Sequence, residues 1–456
     1  MDLTGWLLGI ARPHPLVVTA PGGTAIRLEV ERTMRHLGWQ TAATAAEADL
    51  LVACGAFGPG LAAALDQLWQ QLPGPQSRVD LESADGTMEA TLEAGRSQLR
   101  SGAAQRRDAG ARSADDASPH DHHHGSHPAE HQQGHGDPEP EHGEPAGVEG
   151  HEQADEMTMP HDGGEHDDGG HGQHGHGGHD HGMSMPAGLA MADRAPDRDL
   201  LKLDRLHVPL GPVLPEWPAG LVLHTALQGD IIQEAAVQVL DVGDHGSAWP
   251  PGRVGSYWNE PWLRAQAGER VTRGAAARRR AAAHLDSLGR LLAVAGWGDA
   301  AVAARRLRDD LLAGIDQRAA VARFDRLAGR LRRSRTLRWL TDRLGTLDPA
   351  RAAARAVSGP ARRASGDVTA RWRSWLQETA AALDATGDDR LLDPDGLLEG
   401  PRGSLTTGAQ PSESLLEVLP DLVVGTELAA ARLIVASLDP DLDELAGRTS
   451  AVVTRG

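Results

Sequence analysis

Apolar positions fall into two stretches of this chain, separated by a long interval that has almost none. In the first stretch, "HPLVVTAPGG" reads as a buried strand ended by a Gly-Gly turn. "TAIRLEVERTMRHLG" then sets Ile26, Val30, Met34 and Leu37 at helical spacing, with Gly38 as the C-cap. "ADLLVACG" is a second buried strand, "PGLAAALDQLWQQLP" a helix closed by proline, and "PQSRVDLES" a candidate third strand. Strand, helix, strand, helix predicts an α/β N-terminal domain over residues 1–85, with a parallel sheet and a right-handed crossover.

The second stretch, residues 200–456, opens with alternating runs Leu221–Leu227 and Ile231–Leu240, joined at "QGD" as a hairpin. Helical spacing follows over Arg273–Ala295, Ala300–Ile315 and Arg318–Leu344. A last pair, Val368–Ala385 and Leu415–Leu438, brackets the loop "LLDPDGLLEGPRGSL". This predicts a mainly helical α+β C-terminal domain, and 456 residues suffice for both cores.

Charge changes the picture of the interval between them. Of the formal net charge of −19, nearly all is local: residues 113–182 hold 17 Asp/Glu and 16 of the 22 histidines, with no Lys or Arg. The rest of the chain is close to neutral. Residues 86–199 are dominated by Gly, His, Asp, Glu, Pro and Ser, which cannot bury enough apolar surface to offset ordering entropy, so a disordered linker is predicted. Its 70 His-rich residues would span on the order of 45 Å as a flexible chain. The imidazoles of His120, His122, His123, His124, His127, His171, His174, His176, His179 and His181 come at mixed spacings suited to Ni²⁺, Zn²⁺ or Cu²⁺. Met183 and Met185 add thioethers that favour Cu(I). No tightly bound cofactor is expected of so irregular a ligand set, and drifted linker composition explains the tract equally well.

One cysteine, Cys54, excludes an internal disulfide framework and any four-cysteine metal or iron–sulfur site built from this chain. The first residues lack the basic start and apolar run of a signal peptide. The most apolar later stretch, Leu419–Leu438, is interrupted by Asp421, Glu427 and Arg432. A cytoplasmic chain is expected, peripheral to the inner face of the cell membrane.

The apolar runs also carry a family likeness. "RTMRHLGWQTAATAAEADLLVACGAFGPGLAAALDQLWQQLPGPQSRV" resembles the small, cluster-carrying (B-type) subunit of NADH-quinone oxidoreductase (respiratory complex I) and the related hydrogenase small subunits. "LHVPLGPVLPEWPAGLVLHTALQGDIIQEAAV" is similar to the opening of the large, quinone-site (D-type) subunit of the same complex. "EGPRGSL" with "SLLEVLPDLVVGTELAAARLIVASLDPDLDELAGR" is similar to the C-terminus of that large subunit. The likeness implies a fusion of B-like and D-like domains, the latter also resembling NiFe-hydrogenase large subunits. It covers about residues 15–82 and most of 200–448.

The departures bear on activity. Where the B-like family has its first cluster cysteines, this chain reads "TAPGG" (Thr19–Gly23), and Cys54 is at no family ligand position. The resemblance places a quinone-site histidine at Leu214 and a second at Trp217–Pro218; leucine offers no hydrogen-bond donor. The C-terminal Cys-x-x-Cys of the hydrogenases is replaced by "DPDLDE".

Other features are weaker. Residues 264–343 are arginine-rich, with aspartates interspersed at helical spacing. A solvated face, or a face docking on an acidic partner, fits this better than nucleic-acid binding. "TAPGG" lacks a phosphate-loop pattern. Tyr257 is expected to pack a loop, and His284 to sit on a helix face rather than bind a ligand. The expected function is a non-catalytic structural or accessory subunit of a complex I-like or hydrogenase-like membrane complex. Its partners would be the other subunits, with no nucleic acid and only indirect membrane association. Two alternatives stand beside it: metal buffering or delivery by the His-rich tract, and an oxidoreductase subunit relying on redox centres of a partner chain.

Overall fold

The computed structural model describes residues 12–84, 86–116, 191–196, 202–240, 256–396, 398–405, 410–445 and 452–455. Three parallel strands, β1 (Pro15–Thr19), β2 (Leu50–Cys54) and β3 (Ser77–Leu81), form one sheet in that order. Helices α1 (Thr24–His36) and α2 (Pro59–Gln71) make the crossovers. β2 is central and buried along its whole length, which is why its sequence is a continuous apolar run. Successive residues point to opposite faces. Leu50, Val52 and Cys54 pack with Ile26, Val30 and Met34 of α1, whereas Leu51 and Ala53 pack with Leu65 and Leu68 of α2. The turn after β1 lies so close to the end of β2 that a Cβ on Gly23 would stand 2.3 Å from the Cys54 carbonyl oxygen. Gly55 there has φ +100°, where glycine is favoured.

The expected linker starts too early. Residues 88–116 form two helices, α3 (Met88–Arg100) and α4 (Gly102–Asp116). Met88, Leu92 and Leu99 recur at helical spacing and complete the α1 face of the sheet. Helix and sheet approach closely at Gly95, where a Cβ would lie 2.6 Å from the Val79 side chain. Glycine, serine and arginine between these few apolar residues hide the pattern.

A second sheet is antiparallel, ordered β4 (Met191–Pro196), β5 (Lys202–Leu210), β6 (Leu221–Gln228), β7 (Ile231–Val239) and β8 (Val452–Arg455). β6 and β7 are the expected hairpin, with a register shift at Ala226/Leu227. β4 also falls inside the interval assigned to the linker.

Among the described residues, ten helices follow the hairpin: α5 (Glu260–Gln266), α6 (Arg273–Val294), α7 (Gly298–Leu312), α8 (Gln317–Arg333), α9 (Arg335–Thr341), α10 (Pro349–Ala354), α11 (Gly359–Ala364), α12 (Val368–Asp384), α13 (Pro411–Val423) and α14 (Leu428–Leu438). α6 is the central one: every residue from Ala281 to Gly289 is buried. Two expected helices are broken. The stretch 318–344 divides at Ser334, whose side chain caps α9 by accepting from the Leu337 N–H at 3.1 Å. The stretch 415–438 divides around Gly425 (φ +82°), where backbone bonds to Ile232 of β7 replace helical ones. A sheet edge thus captures backbone that periodicity alone assigns to a helix.

The described residues on either side of the His-rich tract belong to one compact unit. Its largest core joins Leu28 of α1 to the apolar faces of α6, α7, α8, α12, α13 and α14.

Candidate functional site

With Ile26, Val30 and Met34 turned to its own sheet, α1 presents Arg27, Glu31 and Arg35 along its other side, four residues apart. They meet the middle of α6 and of α7. Arg27 donates to Glu31 at 2.7 Å and through its other nitrogen to Asp286 at 2.8 Å. Arg308 donates to Glu31 at 2.9 Å and to Asp286 at 2.5 Å. Arg35 pairs with Asp309, and Arg305 with Glu216. Asp286 and Arg308 side chains are both 0 % exposed, so neither charge could persist without these partners. Burial alone would push the Asp286 carboxyl up, but Arg27, Arg290 and Arg308 together hold it well below its ordinary range. Glu31 is held down in the same way by Arg27, Arg308 and Arg305.

A second set of carboxylates follows α14. Asp439 (φ 49°) accepts from Ser287 at 2.5 Å and pairs with Arg290 at 2.5 Å and with Arg402. In the 3₁₀ turn Leu442–Leu445, Asp443 reaches the start of α1, accepting from the Gly22 N–H and from the Thr24 hydroxyl at 3.0 Å. Asp441 accepts from the Ser256 hydroxyl, and Glu444 from Asn259 at 2.8 Å and the Ser412 N–H at 2.9 Å. Burial, then the neighbouring Asp441 charge, pushes Asp443 up to about 7 and Glu444 up to about 7.

Between these groups lies a cleft of about 100 Å³. Thr19 comes from the end of β1, Leu214, Trp217 and Pro218 from the β5–β6 loop, and Asp441 and Asp443 from the C-terminal turn. The "TAPGG" turn, the "GPVLPEWPAG" loop and the "DPDLDE" segment therefore converge on one cavity. Trp217 is buried and donates its indole N–H to the Leu221 carbonyl at 2.7 Å, which fixes the loop. Among the described residues this cleft offers paired charges and hydroxyls, the Thr24 hydroxyl beside the Asp443 carboxylate among them. Cys54 stands apart from it in the sheet, its thiol pushed up by burial.

The remaining expected sites divide. The ten tract histidines, His120 to His181, lie outside the described residues. Among the described residues no three His, Cys, Asp or Glu side chains are arranged to hold a metal. Tyr257 packs as expected, edge-on to Trp258 at 5.0 Å and beneath Arg279 at 4.1 Å. His284 is on the buried side of α6, with Glu378 at 3.3 Å, and burial lowers its pKa. The "TAPGG" turn directs its Gly22 N–H at Asp443. The arginine-rich region is not one solvated face, because Arg305 and Arg308 turn inward. Arg27, Glu31, Asp286 and Arg308 are the residues that sequence reasoning missed. Their available signal was the charged side of α1 opposite its apolar one, and lone charges inside the long alanine- and leucine-rich α6.

No family model matches the sequence, and no curated protein matches it. Among solved structures, a chain from the membrane-bound sulfane sulfur reductase, an archaeal respiratory membrane complex, is similar to this one. The match covers 52% of this chain and 98% of that one, at 16% identity and a TM-score of 0.39. At that distance the likeness carries neither fold nor function across.

Proposed function

We propose that this chain is a non-catalytic accessory subunit of an NADH-quinone oxidoreductase-like or membrane-bound hydrogenase-like complex. One observation carries the reading. The positions at which the resembled families keep redox and quinone groups face a common cleft, yet their side chains are engaged with one another and with neighbouring backbone. The two folded parts are meanwhile joined by a buried network of ion pairs. A chain that keeps this joint surface without the thiolates and imidazoles suits a scaffold role. No described helix is long and apolar enough to cross a membrane.

The test is affinity capture of the tagged full chain from detergent-solubilised membranes, with metal analysis of the recovered protein. Co-elution of complex I-like or hydrogenase-like subunits in fixed ratio, without iron on this chain, is the expected result. Recovery of the chain alone, loaded with several nickel, zinc or copper ions that vanish on deletion of residues 113–182, would replace this reading with metal handling by the tract. A partner whose oxidoreductase activity is lost with the Asp441→Ala variant would instead make the chain part of a shared active site.

A further inference from the structure

The sharpest feature outside the cleft is a corner where α8 and α9 meet at Ser334. α8 buries Ala320, Phe324, Leu327, Ala328 and Leu331, which leaves Arg326, Arg330, Arg332 and Arg333 on its outer side. α9 buries Leu337 and Thr341, and so turns Arg335 and Trp339 outward, with Arg343 just beyond. Trp339 is 79 % exposed, far more than the other exposed large hydrophobic side chains. The acids on this stretch are Asp325 and Asp342, and Asp342 is engaged by the Thr369 hydroxyl at 2.7 Å. Among the described residues, the guanidinium groups of Arg332, Arg333, Arg335 and Arg343 form no ion pair, while the Asp367 carboxylate accepts from the Arg343 backbone N–H at 2.6 Å. Arg323, one turn further back, is already paired with Asp310, and Arg330 is stacked on Trp297.

We infer that this corner docks on an anionic lipid surface, with Trp339 seated at the headgroup level and Arg332, Arg333, Arg335 and Arg343 around it. A lone indole standing in water among unpaired guanidinium groups gains little from the protein itself. An interface offers its apolar ring and its N–H different environments at once. Arginines keep their charge in water or at phosphates while their stems cover apolar surface, and their attraction to anionic headgroups adds up. Charge complementarity selects an anionic partner, and geometry selects among anionic partners. Among the described residues Trp339 is a single highly exposed aromatic beside exposed arginines, one anchor of the kind a lipid interface takes. Nucleic-acid faces instead insert an element into a groove or offer successive stacking platforms. The inference goes beyond the accessory-subunit reading and does not depend on it.

The test is co-sedimentation of the full-length protein with vesicles of phosphatidylcholine, with and without a minor fraction of phosphatidylglycerol, at low and high salt. Binding is expected only to the anionic vesicles, weakening as salt screens the arginines. The R332Q/R335Q/R343Q triple variant is expected to lower partitioning on the order of 100-fold, about fivefold for each arginine removed. W339A should lower it several-fold while leaving the salt dependence intact. All four side chains are exposed, so unchanged melting of both variants serves as the folding control. Equal binding to neutral vesicles, or identical partitioning of wild type and triple variant, overturns the inference. So does displacement from anionic vesicles by a short DNA or RNA duplex that binds the corner more tightly.

Discussion

At the scale of single residues, Arg308 is the centre of the molecule's electrostatics. It bonds Glu31 on one folded part and Asp286 on the other, out of contact with water. Removing one partner of such a set leaves uncompensated buried charge, which is far costlier than replacing the whole set by apolar side chains. Arg308→Met is therefore expected to lower unfolding stability by about 3–5 kcal/mol. The combined R27L/E31L/D286L/R308M variant, which removes the whole mutually neutralising set, should recover most of that loss. Denaturant unfolding of both proteins checks this, and equal loss in the two would show that packing, not charge, dominates the site. A sequence contains the charges but not their pairing, because Glu31 and Arg308 are 277 positions apart. That separation is why these residues escaped notice, while apolar spacing revealed the elements that carry them.

At the scale of elements, the 3₁₀ turn Leu442–Leu445 is a proton-dependent clasp. Asp443 faces the Gly22 N–H, Thr24 and Arg27 of α1 and its start, and Glu444 faces Asn259 and Ser412. Asp441 adds a like charge to both. Burial raises both carboxyls to about 7, so the folded chain binds more protons than the unfolded one between the ordinary carboxylate range and about 7. The stability these groups give is fully present below that ordinary range and is lost as pH rises through about 7. Melting temperature is accordingly expected to rise as pH falls from about 8.5 to about 6.5, and to do so much less in D443N/E444Q. His284, held neutral by burial, acts with the opposite sign and only below about pH 6.5, outside that window. Calorimetry across the range decides it; identical slopes in both proteins would remove the clasp. The strands and most helices here were legible from period and punctuation. The breaks at Ser334 and Gly425 were not, because Ser334 fits a helix in isolation and Gly425 ends one only through its bond to β7.

At the scale of the whole molecule, the two folded parts belong to one compact unit and meet across a charged seam. Residues 1–116 and 184–456, produced as separate chains in one cell, are expected to co-purify through a tag on either. R308M should reduce the yield of that pair. Independent recovery of both pieces as well-folded monomers would show that each part is sufficient alone. The sequence by itself determined the class of each part, the position of the hairpin and central helices, and that one cysteine is too few for a four-cysteine cluster built from this chain. Those depend on local periodicity and on residue type, which a linear chain displays in full. Only the tertiary structure decided that Thr19, Leu214, Trp217 and Asp441 to Asp443 share a cleft, and that Arg27, Glu31, Asp286 and Arg308 neutralise one another. It also decided that Trp339 stands in water beside arginines that form no ion pair among the described residues. Burial and charge pairing join segments hundreds of residues apart, and both follow from which surfaces pack together.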